Sequence, residues 1–337
     1  MIKDKFNRQL RDLRISVTDR CNFRCTYCMP SEVFGESYKF LPKEEILSFE
    51  EITRLTLIFT ELGVDKIRIT GGEPLLRTDL QHLIYLLRQV SGIKDLTLTT
   101  NGYLLEQQAE ALKKSGLNRI TVSLDTLDDE LFKIMNGRGF STEKVLAGIK
   151  AAERAGLSPI KVNAVVQKGV NDHTMVDLAR YFKGTGHIVR YIEYMDVGNL
   201  NDWKLDEVMS SSEIFNVINS ALPLEAVQPN YVGEVASRYR YIDGSGEIGI
   251  ISSVTQPFCG NCTRARLSTD GRLYTCLFAN DGIDLRDLLR NGASDNEIKS
   301  AISSCWGKRT DKYSEERSAT KPLQINKRKI EMYQIGG

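Results

Sequence analysis

Histidine is almost absent, with three residues in a chain of 337. Most mononuclear zinc and copper centres rest on imidazole ligands, so that chemistry has little to build on. Long apolar runs are missing too, and none approaches the ~20 residues of a membrane-spanning helix. The opening residues are dense in charge and carry no apolar h-region, so a secretory signal is not expected and the cytoplasm is the expected compartment. An excess of one charge sign is also lacking: 45 basic and 44 acidic side chains leave a net charge of +1. That excludes a globally basic nucleic-acid coat, and any anion must be bound by a local cluster. With 41% hydrophobic and 26% charged residues, the composition is that of a globular protein rather than a disordered one. The length allows two ordinary domains or one large barrel with an appendage. Cysteine is present seven times, and an odd count in a cytoplasmic chain argues against a disulfide framework. Sulfur is the ligand this chain has to offer.

What is there, over the first two-thirds, is alternation of helix and strand. An amphipathic run, a glycine, an apolar residue and a short strand recur. The unit appears at Leu62-Gly63-Val64 before 66–70, Ser91-Gly92-Ile93 before 95–100, Ser115-Gly116-Leu117 before 119–124 and Ala155-Gly156-Leu157 before 160–166. The glycine stands where a helix ends in a left-handed residue. Ser48 and Glu51 form a capping-box pair before the helical stripe Ile52, Leu55, Ile58 and Leu62. Adding 13–18 and 188–194 gives about six βα units by pattern reading, hence a parallel sheet with covering helices. Periodicity leaves open whether the sheet is doubly wound or a full or partial barrel. In either case ligands bind at the carboxyl ends of the strands. Near residue 200 the rhythm changes. A loop at 199–203 and a short helix at 212–220 precede a hairpin of 238–242 and 247–252, and a second hairpin is expected around Asp270-Gly271. Another capping box opens at Ser294 and Glu297. A division into two parts follows: 1–234, and a smaller α+β region over 235–337. The basic segment from Lys327 ends in Gly336-Gly337, and its composition favours fraying.

The cysteines fall into two triads. Cys21, Cys25 and Cys28 follow the first strand with x3 and x2 spacing, and Cys259, Cys262 and Cys276 sit with x2 and x13 spacing around the second hairpin. Three thiolates leave a single zinc one ligand short, whereas a four-iron cubane would keep one iron free of protein. Cys305, on a helix beside Trp306, reads as a small buried hydrophobe. The CxxxCxxC spacing resembles the radical S-adenosylmethionine (SAM) superfamily. Gly71-Gly72-Glu73-Pro74 after the second strand strengthens that resemblance, as do Tyr27, Ser123 and Met195. It implies a [4Fe-4S] cluster on Cys21, Cys25 and Cys28, with SAM bound at its unique iron and contacted by Tyr27, Gly72, Ser123 and Met195. The expected fold is then a partial (β/α)6 TIM-like barrel with the C-terminal region closing its open side.

The second triad and its flank, Phe258-Cys259-Gly260-Asn261-Cys262-Thr263-Arg264-Ala265-Arg266, narrow the resemblance. With Glu193-Tyr194-Met195-Asp196-Val197-Gly198 and the di-glycine end, the whole chain is similar to the GTP 3′,8-cyclase family of molybdenum cofactor biosynthesis; Tyr191 and Tyr194 stand where phenylalanine is frequent. The resemblance implies a second [4Fe-4S] cluster on Cys259, Cys262 and Cys276 whose open iron takes the guanine base. It implies a lyase that abstracts hydrogen from C3′ of GTP and joins C3′ to C8. Arg14, Arg264, Arg266, Gly336 and Gly337 are then the catalytic candidates, the di-glycine tail entering the active site. Substrate binding falls to Arg14, Arg68, Thr99, Lys161, Arg190, Arg264, Ala265 and Arg266. Arg14 and Arg68 lie on strands between apolar neighbours, so they point opposite to them. A charge inside a parallel barrel is costly unless paired, and an anionic substrate would meet that need. The implied partners are GTP, an electron donor, a downstream cyclic pyranopterin synthase and a second copy in a homodimer, with no membrane and no DNA. The competing readings are another radical SAM enzyme with an auxiliary cluster, such as a peptide-modifying one, and a zinc-stabilised nucleic-acid binder, whose footprint would be a basic stripe with stacking aromatics.

Overall fold

The computed structural model describes residues 1–317 and 329–337. Within them one sheet of twelve strands runs β12-β11-β10-β1-β2-β3-β4-β5-β6-β9-β8-β7. Its centre is the βα series: β1 (Asp12–Ser16), β2 (Lys66–Thr70), β3 (Asp95–Thr100), β4 (Arg119–Ser123), β5 (Lys161–Val166) and β6 (Ile188–Glu193), parallel and in chain order. Helices α1 (Phe49–Glu61), α2 (Leu80–Gln89), α3 (Leu105–Lys114), α4 (Asp129–Met135), α5 (Thr142–Arg154) and α6 (Met175–Phe182) connect them. After α7 (Ser211–Ala221) the chain forms β7 (Leu224–Val227), β8 (Ser237–Tyr241) and β9 (Glu247–Ile251). Strand β9 extends the parallel sheet beside β6, with β8 and β7 antiparallel outside it. On the other flank β10 (Arg264–Leu267) lies parallel to β1, followed by β11 (Arg272–Tyr274) and β12 (Ile283–Asp284) in antiparallel order. The ends, β12 and β7, are not paired to each other, so the barrel is partial, as expected.

The local chemistry explains the elements. Ser48 and Glu51 cap α1 reciprocally, at 3.1 and 2.7 Å, and Ser294 with Glu297 caps α9 (Asp295–Gly307), which follows α8 (Leu285–Arg290). Gly63, Gly92, Gly116 and Gly156 all adopt positive φ, from +78° to +111°, as the repeated helix stop requires. Both hairpins form where Asp243-Gly244 and Asp270-Gly271 stand. The first strand begins and ends earlier than its apolar run suggests, because Asp12 already pairs with Lys66 and Arg264 in register.

Strand alternation decides which face is dry. Leu13, Ile15, Ile67, Ile69, Leu96, Leu98, Ile120 and Val122 pack against the helices in the main core. Their in-between neighbours, Arg14, Arg68, Thr99, Arg119 and Ser123, face the lumen. The C-terminal region returns to seal the assembly: the buried Trp306 donates its indole N–H to the Arg8 carbonyl at 3.0 Å. Short helices α10 (Tyr313–Arg317) and α11 (Met332–Ile335) bracket the residues outside the described set; Lys327 lies among those. The tail from 329 onward is seated, against the fraying its composition suggests. No described helix is long and apolar enough to cross a membrane.

Helices α3 and α5 meet at Gly148, where an added Cβ would stand 2.6 Å from the Gly102 carbonyl oxygen. Gly→Ala in a helix interior ordinarily gains about 0.5–1 kcal/mol; here Gly148→Ala is expected to lose about 1–3 kcal/mol through overpacking. Urea unfolding monitored by circular dichroism checks the sign.

Candidate active site

Two adjoining cavities open at the carboxyl ends and in the lumen of the strands. The first encloses about 800 Å³, counting the space open at its mouth, and Cys21, Cys25 and Cys28 line it with Tyr27, Gly71, Gly72, Glu73, Asn101 and Ser123. The cysteine loop is held in shape by Arg24, a buried residue the motif spacing gave no reason to single out. Its guanidinium donates to the carbonyls of Phe34, Cys21 and Phe23 at 2.6–2.8 Å. The last turn of the loop closes through the Cys28 N–H on the Cys25 carbonyl at 3.0 Å. Gly71 and Gly72 are needed for a backbone approach, though the approach is to the neighbouring loop: a Cβ on Gly72 would lie 2.4 Å from the Arg20 carbonyl oxygen. Glu73 is fully buried, and burial pushes its carboxyl up to about 7 while Asn101, Thr100 and Leu75 donate to it.

The second cavity is larger, about 1630 Å³ by the same measure. Cys259, Cys262 and Cys276 lie on its wall. So do nine basic side chains: Arg14, Lys66, Arg68, Arg119, Lys161, Arg190, Arg264, Arg266 and Arg309. Only three acidic side chains, Asp12, Asp125 and Asp311, share that lining among the described residues, while Asp95 pairs with Arg119 and Asp4 with Arg309 from outside it. Arg266, Arg14 and Arg68 stand side by side on β10, β1 and β2, in direct register. Their partners are mostly neutral. Arg68 donates to Thr99 at 2.9 Å and Thr121 at 3.2 Å, Arg190 donates to Asn163 at 2.9 Å, and Arg266 donates to the Gly336 carbonyl. Among the described residues, the Nε atoms of Arg14 and Arg68 are buried with no hydrogen-bond partner. Burial, and then the neighbouring arginines, hold Arg14 well below the usual guanidinium range. Burial brings Arg190 down to about 9 and Arg266 to about 10. Lys161, desolvated beside Arg190, Arg119 and Arg68, comes down to about 7. Buried cations with too few anions are an unfilled anion site.

The cavities meet at a shared wall of Tyr27, Thr99, Ser123, Asp125, Met332 and Gly337. Tyr27 donates its hydroxyl to Asp125 there, at 2.9 Å.

The chain matches the radical SAM superfamily profile over residues 15–182 and the Molybdenum Cofactor Synthesis C profile over 187–315. A curated protein of Staphylococcus saprophyticus named GTP 3′,8-cyclase is 49% identical over 337 residues, covering 100% of this chain and 99% of that one. One of the same name from Acidothermus cellulolyticus is 52% identical over 321 residues, covering 94% and 89%. The chain belongs to the GTP 3′,8-cyclase family of the radical SAM superfamily. Among solved structures, native anSMEcpe with bound AdoMet and a Cp18Cys peptide superposes with a TM-score of 0.55 at 17% identity, over 96% of this chain and 94% of that one. Methylornithine synthase (PylB) superposes at 0.54 and 15%, over 93% and 86%. Those two likenesses bear on the fold alone.

Membership in the family brings an iron–sulfur cluster and SAM. The first triad fits such a group by its donor set. Burial pushes all three thiols up, Cys21 to about 12, and neighbouring thiols or carboxylates add to the effect. Thiols so placed ionise only against a cationic centre. The second triad differs. Burial pushes Cys276 up to about 12; it acts on Cys262 too, but Arg264 and Arg309 outweigh it and bring that thiol down to about 7. Arg309 donates to Cys262 Sγ at 3.2 Å and to its carbonyl at 2.8 Å. Among the described residues neither triad converges tightly enough to grip a single ion; the fit rests on the donors' chemistry.

Most of the singled-out residues lie on these walls. Met195 is on the second cavity rather than the first. Ala265 turns its side chain into the core, opposite Leu13 in register, and lines neither cavity. Gly336 also lines neither, and reaches the site through its carbonyl on Arg266. Lys66, Arg119, Asn163 and Arg309 went unremarked in the strand pattern. Reading every second position of β2, β4 and β5 would have found the first three; Arg309 follows α9 and carries no local signal.

In iron-free protein near pH 7, iodoacetamide is expected to modify Cys262 ahead of Cys276, because only Cys262 has a sizeable thiolate fraction. Arg309→Gln should slow Cys262 alkylation roughly tenfold, as peptide mass spectrometry would show.

Proposed function

We propose that this protein is a GTP 3′,8-cyclase, making (8S)-3′,8-cyclo-7,8-dihydroguanosine 5′-triphosphate in an early step of molybdenum cofactor biosynthesis. The observation that carries this reading is the row of under-neutralised buried arginines in a cavity that also holds a cysteine triad and adjoins a second one. A nucleoside triphosphate supplies the missing negative charge.

In this reading Cys21, Cys25 and Cys28 hold one [4Fe-4S] cluster, with SAM set against Tyr27, Gly72, Ser123 and Met195, and Cys259, Cys262 and Cys276 hold a second. When bound, the first cluster and SAM supply a hydrogen-abstracting radical, and the second cluster an open iron for the guanine. The protein's own residues do the rest. Arg68, Lys161 and Arg190 take the triphosphate, with Thr99 positioning it from the β3 tip. Arg14, Arg264 and Arg266 face the reacting nucleoside near the shared wall, and the Gly336-Gly337 tail narrows that wall against water. GTP loses its C3′ hydrogen, C3′ bonds to C8, and one electron and one proton complete a product isomeric with GTP. The electron comes from an external donor, and the product passes to a cyclic pyranopterin synthase. A homodimer in the cytoplasm is the working form we adopt. The boundary at 234/235 separates labour rather than sheet, since β9 and β10 flank the barrel strands directly.

Iron and sulfide analysis of anaerobically reconstituted protein tests the count: about eight of each per chain are expected for two cubanes. Zinc without iron would overturn the proposal. Cys21→Ala should abolish SAM cleavage, whereas Arg266→Ala should keep the iron and lose GTP conversion.

Lys161 adds a pH signature. Its ammonium form binds the triphosphate, and that form is lost as pH rises through about 7 in the empty site. GTP affinity should therefore fall as pH rises above 7, and Lys161→Met should flatten that slope. Calorimetric titration with GTP across pH checks both.

A further inference from the structure

The Glu193-Tyr194-Met195-Asp196-Val197-Gly198 motif follows β6, yet of these residues Met195 alone lines either of the two cavities described. Glu193 is spent on local structure, accepting from the Ser211, Val254 and Thr255 backbone at 2.7–2.9 Å. Asp196 and Asn199 reach elsewhere. The Asp196 carboxylate accepts from the Tyr313 hydroxyl and the Arg317 guanidinium on α10. It also accepts from the Lys329 ammonium at 2.7 Å, and that ammonium donates to the Asp196 carbonyl at 2.9 Å. Asn199 takes both sides of the next residues. Its amide donates to the Lys329 carbonyl and the Glu331 carboxylate, each at 2.7 Å, and its side-chain oxygen accepts from the Lys329 N–H at 2.9 Å. Asp196 and Lys329 are each 9% exposed, so both charges depend mainly on each other and on these hydrogen bonds.

Beyond this knot the chain runs directly to the site. Ile330 donates to the Ala279 carbonyl at 3.0 Å, and the Gln334 carbonyl accepts from the Thr269 N–H at 3.2 Å. Gly336 meets Arg266, and Gly337 lines both cavities. A segment so close to a cavity is placed by its root as well as by its tip.

We propose that Asp196 and Asn199 are positioning residues that fix the root of the 329–337 segment and thereby hold Gly337 at the junction of the two cavities. The use of that placement in turnover rests on the cyclase reading above.

The test uses the full, anaerobically reconstituted chain with Asp196→Asn, Asn199→Ala, Lys329→Met and Lys329→Arg. Hydrogen exchange is followed by mass spectrometry over 329–337 and over β1, beside GTP conversion kinetics. Asp196→Asn, Asn199→Ala and Lys329→Met should speed exchange in 330–337 roughly tenfold or more, with β1 unchanged. Their kcat should fall by a similar factor while the KM for GTP stays within about threefold. Lys329→Arg, which keeps the ammonium-like partner, should restore protection and kcat. Unchanged exchange in Asp196→Asn and Lys329→Met overturns the proposal, and so does a loosened segment with unaltered kcat. Should Asp196→Asn lose β1 protection as well, Lys329→Met, at the start of the segment, decides alone. A wild-type chain that converts no GTP ends the cyclase reading and the use of the placement in turnover, while the exchange measurements still decide whether Asp196 and Asn199 hold the segment.

Discussion

Arg266, Arg14 and Arg68 are forced into one cross-strand row by the parallel register of β10, β1 and β2, and the rest of the molecule is arranged around that repulsion. Neighbouring strands lie about 4.8 Å apart. Unit charges at ~5 Å repel by on the order of 3 kcal/mol at an effective dielectric near 20. That is a large share of a domain's net stability of about 5–15 kcal/mol. Nothing in the fold needs three arginines there; Thr97 and Thr121 show that the lumen accepts uncharged residues at neighbouring places. In the proposed reading the row persists because the anionic substrate lies against it. The partial relief on the page, threonine hydroxyls, Asn163 and the Gly336 carbonyl, consists of neutral acceptors that leave the charge available.

An open sheet suits such a lumen better than a closed one. Closing eight parallel strands packs the interior with layered apolar side chains. Here β10 and β9 flank the six βα strands without meeting, and the turns before β10 and after β11 place the second triad on the cavity wall. The same strand alternation that buries Leu13, Ile67 and Leu96 under the helices therefore turns cations inward, and membership in the cyclase family sets the nucleic-acid reading aside.

Elements built by local rules were legible in the sequence. Capping pairs at Ser48 and Ser294, glycine stops at 63, 92, 116 and 156, and turns at 243–246 and 270–271 each depend on neighbours a few residues away. The cysteine triads were legible because their spacing is itself the geometry. What could not be read was long-range. Strand β7 is short and half exposed, so its alternation is faint, and it is a strand only because β8 accepts it. Arg24 and Arg309 shape the two cysteine loops from positions with no periodic signal. Lys66 and Arg119 open their strands, where a basic residue is as easily a solvated end as a lumen wall; pairing with Asp12 and Asp95 decides it.

The two terminal glycines are not equivalent, and the difference bears on what the tail is for. Composition treats them alike, as pliant backbone that fits a gap. In place, Gly336 has φ +69°, and a Cβ there would stand 2.0 Å from the Thr70 methyl carbon. Among the described residues, a Cβ on Gly337 would meet nothing nearer than the Met332 sulfur at 3.4 Å. Gly336 is thus fixed by the β2 tip on one side and by Arg266 on its carbonyl, and any side chain would push it off both. Gly337 is free to vary as far as packing is concerned, yet it is the residue on the shared wall. A side chain at 337 would project toward the two cavities, which the proposed reading fills with SAM and the nucleotide. Packing within the protein therefore demands one glycine, and under the proposed reading what the protein binds demands the other.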